Sequence, residues 1–178
     1  MDSPKEQKKS DIKSVFDRIG NVIAPGYGNM EDLRALDKAL RDQYNLELMN
    51  LRHQWEKIYL GVLEAGQSVI GRECKYVIQT IDRLAATINR ADYGYAPLFD
   101  RVENIQGEAL KSVLDYDRGL AVDLIKLGES SGKAEAAMKS ATWSILASLV
   151  DGFNNDLRIF EEKWGKRKQM IVDDVQRG

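Results

Sequence analysis

The sequence predicts an all-α protein, an elongated antiparallel bundle of long helices. Three observations predict it. Apolar residues recur at spacings of three and four along most of the chain. Only three prolines occur, Pro4, Pro25 and Pro97, so long stretches carry no obligatory helix breaker. No segment of useful length shows the two-residue alternation of a half-buried strand.

The chain divides into a tail with a short amphipathic helix, residues 1–29, and a long-helix bundle, residues 30–178. The first nine residues are polar and charged and lack the apolar material to fold alone. Ser10 caps a helix from Asp11 to about Ile23, with Ile12, Val15, Phe16, Ile19, Val22 and Ile23 on one face. Pro25, Gly26 and Gly28 then interrupt the chain, and Asn29 is a suitable N-cap for the next helix.

From Met30 the stripe continues for about sixty residues through Leu33, Leu36, Leu40, Tyr44, Leu48, Leu51, Trp55, Ile58, Val62, Ala65, Val69, Val77, Ile81, Leu84 and Ile88. One column, Leu33, Tyr44, Trp55, Gly66, Val77 and Ile88, repeats every eleven residues. Eleven residues are close to three whole turns, so the column stays on one face of a nearly straight helix. Such a helix would be about 90 Å long, which predicts a rod or arc.

Residues Ala91 to Pro97 read as a helix–helix turn, with Gly94 as its stop and Pro97 in the first turn of the next helix. That helix carries Leu98, Val102, Ile105, Ala109, Val113, Tyr116, Leu120, Leu124 and Leu127. The segment Gly128 to Gly132 is a second break. The last helix, from about Lys133 to Val175, carries Met138, Ala141, Ile145, Leu149, Phe153, Leu157, Phe160, Trp164 and Ile171. If the second break reverses the chain, three helices lie antiparallel. If it only kinks, residues 10–90 fold against residues 97–176 as one hairpin, with Gly61 near Leu127. Either arrangement leaves apolar surface that a homodimer would cover, with Trp55, Ala141, Trp143, Ala147 and Trp164 as packing or dimer contacts.

The residues offer little for catalysis. His53 and Cys74 are the single histidine and cysteine, and on one helix they would lie about 31 Å apart. They cannot form a nucleophile–base pair within one chain, and they make a zinc site a poor fit. Asp151 to Glu162 has the length of a calcium loop, but Phe153 and Asp156 occupy positions that need a ligand and a glycine. Gly132-Lys133-Ala134 lacks the hydroxyl of a phosphate loop. The expectation is no enzyme, no cofactor and no metal. A formal net charge of −2 argues against a nucleic-acid partner. The polar N-terminus and single cysteine fit a cytoplasmic protein.

Two basic stretches remain. Lys5, Lys8, Lys9, Lys13 and Arg18 accompany Phe16 and its apolar neighbours, a combination that suits a membrane interface or the end of a bundle. Lys163, Lys166, Arg167 and Lys168 form a basic end on the last helix. A short amphipathic helix followed by long, bent helices in a dimer resembles the plan of BAR-domain proteins. The resemblance is one of architecture and covers most of the chain. It implies a helical scaffold that dimerises and binds an anionic membrane surface, with these two basic stretches as its contacts. The other reading is a coiled-coil module that binds itself or another helical protein and has no membrane role.

Overall fold

The computed structural model describes residues 30–90 and 107–177, and every described element is a helix. Helix α1 spans Met30–Glu64, α2 Ser68–Arg90, α3 Gly107–Lys139 and α4 Trp143–Arg177. The expectations for residues 1–29 and for the turn at 91–97 lie outside the described residues.

The helices form two antiparallel hairpins. Arg52 on α1 meets Asp82 on α2 across the first, and Asp123 on α3 meets Lys163 on α4 across the second. The hairpins are stacked so that α1 runs parallel to α3 and α2 parallel to α4. Tyr44 reaches Asp117, Trp55 reaches Ser131 and Gln54 reaches Glu135, a nearly constant offset along the chain. Arg83 meets Glu161 in the same parallel sense. Both hairpin turns therefore lie at one end of the bundle. Helices α2 and α3 are consecutive in sequence but sit on a diagonal, because α2 packs on α1 and α4 while α3 packs on α1 and α4.

This overturns the single sixty-residue helix and its length of about 90 Å. The chain reverses at residues 65–67, where Gly66 takes φ of 73°. Gly66 N–H donates to the Leu63 carbonyl and Gln67 N–H to the Val62 carbonyl. That pair of bonds is the Schellman closure of a helix, and its left-handed residue favours glycine. The second reversal uses the same device at Ala141, φ 55°. Ala141 N–H donates to Met138 and Thr142 N–H to Ala137. Thr142 then opens α4, its carbonyl accepting from Leu146.

The segment Gly128 to Gly132 does not reverse the chain; it lies inside α3. Helix α3 is parallel to α1, not antiparallel, and a Cβ at Gly61 would meet Met138 rather than Leu127. The expected stripe misses by one residue only at the start of each new helix. Ile70 is buried where Val69 was expected, and Leu146 and Val150 are buried beside exposed Ile145 and half-buried Leu149.

The core runs along all four helices. Its largest members are Trp55, Tyr44, Phe153 and Phe160, joined by leucine and isoleucine layers from Leu40 to Ile88 and from Leu120 to Trp164. Trp55 packs on Phe153 with the rings tilted and their centroids 4.7 Å apart. Tyr44 meets Phe160 and Trp164 edge-on. Full burial of each such side chain contributes roughly 1.5–3 kcal/mol, which makes this seam the main source of stability.

Candidate functional site

Three kinds of polar feature are set into the bundle. The first is buried. Arg167 on α4 donates from Nε to Asp117 Oδ1 at 2.6 Å and from Nη2 to Oδ2 at 3.0 Å. The Tyr44 hydroxyl donates to the Asp117 carbonyl at 2.8 Å, and the Arg167 guanidinium sits 5.2 Å from the Trp164 ring centroid. A buried, bidentate pair fixes the relation of α3 to α4, and the tyrosine ties α1 to it. Further along, Trp55 Nε1 donates to Ser131 Oγ at 2.9 Å, again inside the core. These groups are closed to solvent, so they orient helices.

The second kind lies on the rims between helices. Arg83 forks onto both oxygens of Glu161. Gln54 donates to Glu135, whose carboxyl is held below the ordinary carboxylate range by Lys139 first and Gln54 second. The Tyr116 hydroxyl donates to the Lys163 carbonyl at 2.7 Å, and desolvation raises its phenol.

The third is a face. Opposite its core stripe, α1 carries a second series at alternating spacings of three and four: Leu46, Met49, His53, Glu56, Leu60 and Leu63. Leu46 is 53% exposed, Leu60 57% and Leu63 44%. Met49 is half-buried. In the middle, His53 Nδ1 lies 3.3 Å from Glu56 Oε2. The His53 contact, with Arg52 behind it, holds the Glu56 carboxyl below its usual range. Four apolar side chains flanking a polar layer is the composition of a helix-docking seam.

The residues singled out from sequence are distributed as follows. Trp55 and Trp164 are core residues within one chain. Ala141 is exposed at the second turn, and Trp143 and Ala147 are half-buried at the start of α4. Of the C-terminal basic group, Arg167 is turned inward to Asp117, Lys163 pairs with Asp123, and Lys166 is exposed. Lys5, Lys8, Lys9, Lys13, Phe16 and Arg18 lie outside the described residues, as does the side chain of Lys168. His53 is exposed and Cys74 buried. Burial pushes the Cys74 thiol up to about 12, with Glu73 adding to the shift.

Sequence reasoning passed over the outer α1 series, because the stronger core stripe on the same helix drew the pattern. The signal was there in the heptad recurrence of Leu46, His53 and Leu60. It also passed over Asp117, whose partner lies fifty residues away. Among the described residues, no group of three or more histidine, cysteine or acidic side chains is placed to hold a metal ion. No described helix is long and apolar enough to cross a membrane. No family model, curated protein or solved structure matches this chain.

Proposed function

We propose that the chain is a non-enzymatic helical scaffold, a protein–protein interaction module whose outer α1 face receives another helix. The observation that carries this reading is the second stripe, whose Leu46, Leu60 and Leu63 are exposed over a core that is already closed, with Met49 at its edge packed against that core. Covering four apolar side chains supplies the affinity, while the His53–Glu56 layer selects register. The inward commitment of Lys163 and Arg167 supports a protein partner over a lipid surface at this end of the molecule.

Co-sedimentation of the full chain with phosphatidylserine vesicles tests the choice. The scaffold reading expects the chain in the supernatant. Co-sedimentation would contradict it, and loss of that binding in a K5E/K8E/K9E/K13E variant would move the contact to the basic N-terminal stretch, as the BAR-like reading requires.

A further inference from the structure

We infer that the partner of the outer α1 face is a second copy of this chain, laid antiparallel about a two-fold axis at the level between Gln54 and Trp55. The inference rests on the scaffold reading and names its partner. The stripe reads the same from both ends. Leu46 and Leu63, Met49 and Leu60, and His53 and Glu56 are each placed symmetrically about that midpoint. A two-fold contact has to be self-complementary, residue i against j and j against i. The spacing alone would suit any helix; what singles out a second copy is the middle layer, where the two-fold sets the His53 imidazole opposite the Glu56 carboxylate twice.

Pairing follows directly. Leu46 meets Leu63 of the second copy, Met49 meets Leu60, and His53 meets Glu56, each twice. Beside the seam, Lys57 falls opposite Asn50 and Arg52 opposite Tyr59, so no like charges are opposed. A parallel pairing in register would set His53 on His53 and Glu56 on Glu56, which places like groups together in the middle layer. The contact from Leu46 to Leu63 runs about 26 Å along the helix. The members of the middle layer are accessible to it, the His53 side chain being 67% exposed and Glu56, which also pairs with Arg52, 39%. The Leu63 end abuts Gly71 of α2, where a Cβ would come within 3.1 Å of Leu63, so the hairpin itself holds that leucine in place.

Sedimentation velocity over a concentration series of the full chain tests this. A monomer–dimer equilibrium is expected, and L46E/L60E is expected to be monomeric with unchanged helicity and, where the parent chain is itself dilute enough to be monomeric, unchanged melting. H53E, which opposes two carboxylates twice, should raise the dissociation constant about tenfold, and H53E/E56K should restore it. Orientation is read by mixing an L46C chain with an L63C chain and adding a short bismaleimide. The mixture should cross-link and neither chain alone should, Cys74 being buried. A chain that is monomeric throughout, a dimer indifferent to L46E/L60E, or self-cross-linking of L46C would each overturn the inference. A monomer that also stays off vesicles leaves the scaffold with a different partner; vesicle binding removes the scaffold reading itself.

Discussion

Asp117 and Arg167 face each other across α3 and α4 as a two-pronged ion pair, with 2% and 4% of their side chains exposed. Both charges have left water, and their mutual geometry offsets that loss. Tyr44 bonds the backbone of Asp117, so the pair links three helices. A core made only of leucine stripes could slide by a turn. This pair can be made at one setting of α3 on α4, and Trp55 with Ser131 sets α1 on α3 in the same way.

Breaking the pair on one side should therefore be severe. Asp117→Leu leaves the Arg167 guanidinium buried without its carboxylate and should destabilise the fold by about 3–5 kcal/mol in urea unfolding. Asp117→Leu combined with Arg167→Met should recover a large part of that loss. Equal destabilisation by the single and double variants would contradict a paired role.

The two turns make a prediction of opposite signs. Gly66 takes φ of 73° and Ala141 φ of 55°. A side chain in this region is strained, so Gly66→Ala should lower stability by roughly 1 kcal/mol and Ala141→Gly should raise it by a similar amount. Thermal melts of the two variants check the signs. The same sign in both would mean that one turn does not close as described.

These turns also show where the sequence was legible and where it was not. Helix type was legible, because nothing competes with the three-and-four spacing. Most of the core stripe from Leu40 to Ile88 was legible for the same reason. The break at Gly66 was not. Its eleven-residue column runs through the turn, and Ile70 follows Val62 by two four-residue steps, so periodicity sees no gap. The opposite error came at Gly128–Gly132, where two glycines and two serines read as a stop. Ser131 is instead a core residue receiving the Trp55 indole N–H, and contact with α1 outweighs the weak helix preference of its neighbours. Ala141 closes a helix without being glycine, so composition pointed to Gly128–Gly132, nearer the chain's start than the true turn. The docking face was legible in spacing alone; that it faces outward depended on the reversal.

The two stripes of α1 should separate cleanly by mutation. Leu48→Ala empties a fully buried position and should cost about 2–5 kcal/mol. Leu46→Ala and Leu60→Ala, on the exposed face, should stay within about 0.5 kcal/mol when the chain is dilute. Urea midpoints at low protein concentration distinguish them. A large loss from either exposed position would place the second stripe inside the fold.

Cys74 reports on integrity. Its thiol is buried and its ionisation is pushed up to about 12. The folded state favours the neutral thiol, so this contribution to stability is full below the unfolded value near 9.0 and is lost as pH rises toward 12. Iodoacetamide at pH 8.5 should label the folded chain very slowly and the urea-unfolded chain rapidly. Fast labelling of the folded chain would contradict the burial.

The outward position of the Leu46–Leu63 face depends on α1 folding back on α2. Spin labels at Lys38 and Asn89, both exposed, with Cys74 replaced by alanine, test that fold by pulsed dipolar spectroscopy. The hairpin predicts a separation of roughly 15–25 Å, adjacent helix axes plus the label arms. A distribution centred near the long limit, about 77 Å for one continuous helix between those positions, would contradict it.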